Sequence, residues 1–587
     1  MYRLVSGIPG VLFGVASLTT YSQAQPNIVI ILTDDQGWGD LTINGNINIE
    51  TPNIDRFAGQ GAIFSHFYVA PMSSPTRAGL LTGRYPDRTG VYGTSDPAQF
   101  MNLDEVTIAD LFKKAGYATG CFGKWHNGSQ YPYHPNGRGF DEFYGFYGGH
   151  RSNYFNTTLY HNGDTVRSTG YLADDLTDKA MAFIEDNINK PFLCYIPYNI
   201  PHNPLQVPDK YYDRIKRRGI SMYARNPEQE DVDVTIASLA MCENIDWNVG
   251  RLLQKIDDLN LASNTIVMYL SDNGPAFWRW NGDMKGKKGD VDEGGVRVPF
   301  FIRWPGVIPA GTIVNDNAAY IDILPTLADI AGLSIQNCKP IDGISLKPLL
   351  IGKVDQLPER LLFSSLNNKR SVRRGYYLAE GGSLFNLAID PGQRINIAQQ
   401  FPEIYESLTD TLRKWYVDVI KGIDKTRWYQ VGYPQFPVTI LPAEDSRLHP
   451  SENGKLAYSA RILCNTFIKN WDDTSSFVSW NIEVNTAAAY EVSISYTCAP
   501  VNTGCEFEFD FLGNKLMGVI SDPHDPPLLS SPDRIERTTQ SYEKEFKQMW
   551  VGIMHLDQGK GEFILKPKIM KGKQMMDVKA ITVKLID

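Results

Sequence analysis

Four segments carry apolar side chains in nearly unbroken runs: NIVIIL (27–32), YATGCF (117–122), FLCYIP (192–197) and TIVMYL (265–270). Short runs with no polar face predict strands buried on both sides. Between them lie helical segments, most clearly Thr107–Ala115 and Thr235–Leu259. This alternation predicts an α/β domain over residues 25–360, a mostly parallel sheet sandwiched by helices. From Leu361 the texture changes. Short strands near Arg373–Leu378 and Ser383–Leu387 precede a segment whose Ile404, Leu408, Leu412 and Trp415 share one helical face. A small α+β subdomain is expected over residues 361–440. Beyond it the apolar period drops to two. Trp480, Ile482 and Val484 alternate with other residues, as do Tyr490, Val492, Ile494 and Tyr496, then Phe507, Phe509 and Phe511, and finally Ile581, Val583 and Leu585. An appended β-sandwich is expected over residues 441–587.

Charge and cysteine usage narrow the function. With 57 basic and 66 acidic side chains the formal charge is −9, which argues against a broad basic surface and against nucleic acid as a partner. The N-terminus has Arg3, an apolar stretch around Ile8–Leu18 and then Ser22-Gln23-Ala24. That pattern reads as a secretory signal over residues 1–24 and predicts a periplasmic or secreted protein. The apolar stretch is too short to span a membrane, so no membrane span is expected. Seven cysteines show no CxxC pair, which argues against zinc. Cys498 and Cys505 are candidates for a local disulfide between neighbouring strands.

The chemistry gathers where the strands end. After NIVIIL come Thr33, Asp34 and Asp35; after TIVMYL come Ser271, Asp272 and Asn273; after YATGCF come Lys124 and His126; after FLCYIP comes His202. In an open parallel sheet the ligand crevice lies at the carboxyl ends of the strands, so these groups would share one site. Asp34, Asp35, Asp272 and Asn273 offer only oxygen, a hard set suited to Ca²⁺ or Mg²⁺. A spread set with room for a substrate oxygen leans towards Ca²⁺. Ringed by Arg77, Lys124, His126, His202 and Lys288, such an ion describes a site for a small tetrahedral oxyanion ester. In the stretch PMSSPTRAGLLTGR (71–84), Pro75 suits the first turn of a helix, with Ser73 and Ser74 ahead of it and Ser74 as its cap. A helix start there would present N–H groups to an anion.

These residues carry a resemblance. Ser73-Ser74-Pro75-Thr76-Arg77 with Leu81-Thr82-Gly83-Arg84 resembles the (Cys/Ser)-x-Pro-x-Arg signature of the type I sulfatases, formylglycine-dependent members of the alkaline phosphatase superfamily. PNIVIILTDDQGWGD (26–40), GKWHNG (123–128), GFDEFYGF (139–146), SDNG (271–274), KGDVDEGGVRVP (288–299) and LFNLAIDPGQRINIA (384–398) extend it in the family's order. The resemblance implies oxidation of Ser73 to formylglycine, whose aldehyde hydrates to a geminal diol. One hydroxyl attacks sulfur, and the other is later deprotonated so that sulfate is expelled. It implies a Ca²⁺ held by Asp34, Asp35, Ser73 as formylglycine, Asp272 and Asn273. Arg77 and Lys124 would hold the formylglycine, His126 would act as base, and His202 with Lys288 would grip the sulfate ester and assist the leaving group. Serine in place of cysteine implies a partner, an anaerobic radical-type sulfatase-maturing enzyme.

The implied reaction is removal of O-sulfate from a carbohydrate, exo-acting on a sulfated glycan. Candidate sugar contacts are His150, Arg151, Trp278, Arg279, Trp280 and Asn281. Two alternatives stay open at this point: a phosphodiesterase or phosphonate hydrolase of the same superfamily, and a glycan-binding protein whose Ser73 is never oxidised.

Overall fold

A computed structural model describes residues 25–462 and 464–586; the expected signal segment lies outside them. The first unit is built on an eleven-stranded mixed sheet. Its middle is four parallel strands, β1 (Asn27–Thr33), β2 (Ala118–Lys124), β3 (Phe192–Pro197) and β4 (Thr265–Ser271), in the order β4-β1-β3-β2. Every residue of these strands is buried. The pleat explains why no polar face shows in the sequence. Ile28, Ile30 and Leu32 enter one core with Leu80, Phe112 and Leu324, while Val29 and Ile31 enter a second core with Ile236, Leu239 and Ile245 of the helix Val232–Asp258. Helices therefore cover both faces, as the α/β reading expects. The edges depart from parallel: Phe300–Arg303 runs antiparallel to β4, and a hairpin of Thr158–His161 and Asp164–Arg167 closes the far side.

Next comes a four-stranded antiparallel sheet, Leu361–Leu366, Lys369–Arg374, Tyr377–Glu380 and Ser383–Asn386, backed by the helix Pro402–Val419. The single strand expected over Arg373–Leu378 is instead the turn between two strands, because Gly375 takes a φ of 54° and ends the ladder. Leu408 and Leu412 pack on Val372, Ala379 and Leu384. The C-terminal part is two six-stranded sheets whose facing side chains include Trp480, Tyr490, Phe507 and Val583. Tyr429–Val431 and Val438–Pro442 are already strands of these sheets, pairing with Phe477–Val484 and Asp577–Leu585. The division expected at residue 440 therefore falls ahead of Tyr429. Their hydrophobic pattern was too short to show this. The proposed disulfide is absent: Cys498 and Cys505 are free, buried thiols, and each meets backbone carbonyls instead.

The sheets of the last unit are fastened to the first. Arg427 bonds Phe100 O and Asn102, Gln206 Nε2 donates to Ser531 Oγ at 2.6 Å, and Arg534 N donates to Leu205 O at 2.8 Å. At the same junction the Tyr429 hydroxyl lies against Asp96 Oδ2 at 2.5 Å and against Asp445 Oδ2. One phenol proton cannot serve two carboxylates, so the pair keeps a second proton. Burial lifts the Asp96 carboxyl from 3.8 to about 6 and Asp445 well above its ordinary value. Folded-state values above the unfolded ones mean stability that is present at low pH and lost as pH rises through about 6. We expect Asp445→Asn, which removes one of the competing acids, to gain melting temperature relative to the native chain between pH 5 and pH 8. Parallel calorimetric pH series on the two proteins check this.

Candidate active site

Because β1 to β4 are parallel, their carboxyl ends meet at one edge of the sheet. β1 delivers Asp34 and Asp35, β4 delivers Asp272 and Asn273, β2 ends on Lys124 with His126 just beyond, and the chain after β3 brings His202. Asp35 and His126 take left-handed backbone angles, φ 69° and 65°, which turn the chain sharply as it leaves each strand. The helix α1 (Ser73–Thr82) points its first turn at the same edge, and all ten of its residues are buried.

The start of α1 differs from expectation. Ser73 is itself the first helical residue, the capping position belongs to Met72, and Pro75 stands third. Pro75 is still tolerated, since the donors of the first turn have no helical partners. Ser74 is therefore not a cap; its hydroxyl and carbonyl both accept from Asn127 Nδ2 at 3.1 Å.

Ser73 Oγ lies 2.5 Å from Asp272 Oδ2, 3.3 Å from Asp34 Oδ1 and 3.4 Å from Arg77 Nε. Arg77, fully buried, donates from Nη2 to Asp272 Oδ2 at 2.8 Å and from Nη1 to Lys124 O at 2.9 Å. Lys124 Nζ reaches Asp34 Oδ2 at 2.6 Å, and Lys288 Nζ reaches Asp35 Oδ1 at 2.5 Å. Burial alone would raise both carboxyls. Lys124, aided by His202 and Arg77, outweighs it and holds Asp34 at about 2, and Lys288 does the same for Asp35 in direction. Lys288 is in turn pushed up by Asp35 and Asp34 against its burial, so it stays charged.

The histidines are held differently. His126 Nε2 faces Thr94 O at 3.1 Å and so carries the ring proton, leaving a buried Nδ1 with no partner. Burial, then Lys124 and Arg77, pushes its pKa well down. A neutral imidazole with a bare nitrogen is a proton acceptor. Gly149 fixes its place: a Cβ there would come within 2.3 Å of His126 Nε2. His202 Nδ1 faces Asn203 O at 2.6 Å, and its Nε2 stands 3.9 Å from Asp35 Oδ2.

Two buried oxygens beside this cluster, Asp35 Oδ2 and Asn273 Oδ1, have no hydrogen-bond partner. Asp34, Asp35 and His202 place ligand-type atoms within 4.8 Å of one another. Orphaned oxygens amid carboxylates fit a hard divalent cation. Above the cluster opens a cavity of about 1790 Å³ lined by Ser73, Lys124, His126, His150, His202 and Lys288, with Arg151 also on its wall.

Two family profiles match the chain, one described as Sulfatase over residues 26–333 and one as N-sulphoglucosamine sulphohydrolase, C-terminal, over residues 287–417. The chain belongs to the sulfatase family. The N-acetylgalactosamine-6-sulfatase of Mus musculus is 32% identical over 405 residues, covering 63% of this chain and 74% of that protein. Arylsulfatase H of Homo sapiens is 30% identical over 438 residues, 58% of this chain and 75% of that one. The crystal structure of Ps i-CgsB in complex with k-i-k-neocarrahexaose is similar at a TM-score of 0.62 and 30% identity, over 68% of this chain and 95% of that one. This sulfatase is an enzyme of the sulfuric ester hydrolase class with an alkaline phosphatase-like fold.

Not every expected sugar contact reaches the cavity. Trp278, Arg279, Trp280 and Asn281 are absent from its lining. Arg279 is buried and forms a fork on Asp40, at 2.6 Å to Oδ1 and 2.5 Å to Oδ2, with Asp35 O at 3.1 Å. Asn281 Oδ1 accepts from Gly39 N at 2.7 Å, Trp280 stacks on Tyr223, and Trp278 lies under Lys287. The loop braces the tip of β1, and its aromatic content resembled a sugar platform only in composition. Asp40 was the missed residue, although it sits in the same motif as Asp34. Breaking this buried pair leaves an uncompensated charge, so Arg279→Ala should destabilise the fold by about 3–5 kcal/mol. Chemical denaturation checks it; a native melting curve with a raised KM alone would restore the sugar-contact role.

Proposed function

We propose that this sulfatase removes O-sulfate from a sulfated carbohydrate, with Ser73 converted to formylglycine and one Ca²⁺ held by Asp34, Asp35, Asp272, Asn273 and the modified residue 73. The observation that carries the reading is the position of Ser73: a buried hydroxyl at the first turn of α1, set against two carboxylates of the oxygen cluster and the Arg77 guanidinium. The carbohydrate part is supported by what the relatives are named for, N-acetylgalactosamine 6-sulfate and a bound neocarrahexaose. It is also supported by a cavity of about 1790 Å³, several times the size of a sulfate group.

Formylglycine supplies a hydrated aldehyde, a second hydroxyl on the carbon where serine has one. Around it Arg77 and Lys124 fix the side chain of residue 73, and Arg77 ties both to Asp272. Lys288, kept protonated by Asp35, places positive charge on the ester oxygens. His126 takes a proton at Nδ1, the nitrogen that Thr94 leaves free. His202 Nε2 faces the same space and accompanies the leaving oxygen. Making formylglycine removes two electrons and two protons from the Ser73 side chain, an oxidation that the anaerobic radical-type maturing enzyme implied by the serine-type signature would carry out. Residues 1–24 support a periplasmic or secreted location.

Co-expressed with such a maturing enzyme, the protein should yield a residue-73 peptide two hydrogens lighter and should hydrolyse 4-nitrophenyl sulfate in preference to bis-4-nitrophenyl phosphate. Ser73→Ala should abolish both signals. Peptide mass spectrometry with initial rates decides it; dominant phosphodiester turnover would sink the reading. Separately, Ca²⁺ should raise the melting temperature of the native chain, and Asp35→Ala should remove that response, as measured by thermal shift without substrate.

A further inference from the structure

His150 lines the cavity beside His202, with ring centroids 5.8 Å apart, and is only 9% exposed. Its partner comes from the far end of the chain. Asn465 Nδ2 donates to His150 O at 2.9 Å and to His150 Nδ1 at 3.0 Å. The carbonyl decides the orientation of that amide, because a carbonyl only accepts and the NH₂ must therefore face it. The second proton of the same NH₂ then meets Nδ1, which must be the acceptor. A neutral His150 consequently carries its proton on Nε2, which is buried near Gln540 of the cavity wall but makes no hydrogen bond of ordinary geometry. Burial is also what presses the His150 pKa well down and keeps the ring neutral. A fixed, unsatisfied N–H beside the sulfate-gripping groups costs free energy unless a ligand oxygen meets it.

The placement of Asn465 is built. It lies in the loop joining the paired strands Ala457–Tyr458 and Ile468–Lys469, takes a φ of 52° and is 7% exposed. A later segment of the same unit is fastened close by in the chain, at Ser152: Arg537 bonds Ser152 O and Asp533, and Gln206 Nε2 bonds Ser531 Oγ at 2.6 Å and Asp533 Oδ1 at 2.6 Å. The family profiles end at residue 417, so Asn465 lies outside them while His150 lies within the first.

We propose that the C-terminal β-unit completes the substrate site, with Asn465 holding His150 as an N–H donor to an oxygen of the sulfated sugar. His150 touches the substrate, and Asn465 is a positioning residue that sets specificity through it. The proposal rests on the carbohydrate-sulfatase reading above.

The test uses the full-length matured protein. Substrates are 4-nitrophenyl sulfate and whichever of N-acetylgalactosamine 6-sulfate, glucosamine 6-sulfate and sulfated neocarra-oligosaccharides the native enzyme hydrolyses fastest. Asn465→Gly suits the left-handed backbone and removes both donors; Asn465→Ala serves if the glycine variant does not fold. Either should lose about tenfold more kcat/KM on the sugar than on the aryl ester, the scale of one hydrogen bond to a buried group. In a His150→Ala background the same substitution should cost less than about twofold, because its effect runs through His150. Equal losses on both substrates, or additive losses in the double variant, would overturn the proposal while leaving the sulfatase reading intact. Hydrolysis of the aryl ester but of none of the sugars would overturn the carbohydrate reading, and this proposal with it.

Discussion

Three buried carboxylates at the ends of two adjacent strands, Asp34, Asp35 and Asp272, face three fixed cations, buried Lys124 and Arg77 and partly buried Lys288. Everything else at the site depends on this balance. Such a cluster cannot be buried with unpaired charge, so each acid must meet its base at hydrogen-bond distance. That requirement fixes the first turn of α1, which carries Arg77. It also fixes the ends of β1, β2 and β4, and the loop that brings Lys288 across. A divalent cation added among the three acids would leave the cluster with two net positive charges, which is the charge of the sulfate dianion with opposite sign. Charge accounting alone thus describes a receptor for that product and, more weakly, for its singly charged ester.

The precision of the site is bought by close backbone packing. Gly79 lets Tyr320 lie against α1 where a Cβ would come within 2.1 Å of its ring, and Gly149 does the same for His126. These contacts constrain the helix and the histidine by shape, and for His126 they add to its bond with Thr94 O. The bracing loop adds a third constraint. Arg279 grips Asp40 and the carbonyl of Asp35, so the sharp turn after β1 is held from behind while its carboxylate faces forward.

Much of this was legible in the sequence because parallel strands buried on both faces leave unbroken apolar runs, and chemistry at their carboxyl ends follows directly in the chain. The four runs at 27, 117, 192 and 265 are the four central strands, and their trailing residues converge. What failed had local causes. The pattern over 373–378 did not show the turn at Gly375, and the strands at 429–431 and 438–442 were too short to declare their sheet. Ser74 looked like a cap because serine is a favoured capping residue and Pro75 suits the first helical position, yet the helix starts two residues earlier, at Ser73. Trp278 to Asn281 carried the composition of a sugar platform, but Arg279 turns inward onto Asp40 and Asn281 onto Gly39 N, while Trp278 and Trp280 are half-buried against Lys287 and Tyr223. Asn465 gave no signal at all. Its importance depends on a contact with His150 across 315 positions, which no spacing rule encodes.

That long-range contact bears on how the last unit is understood. An appended β-sandwich joined by a linker would be expected to move freely and to touch the core through a modest polar interface. Here the junction carries Arg427 on the Phe100 carbonyl, Tyr429 between Asp96 and Asp445, and Arg537 on Ser152, while Phe100 and Tyr133 of the first unit pack within the apolar core of the second. Separation would return the buried apolar surface around Phe100 and Tyr133 to water, which makes it costly. The two units therefore wall the cavity together. Its geometry is set as much by the last third of the chain as by the strands that carry the carboxylates.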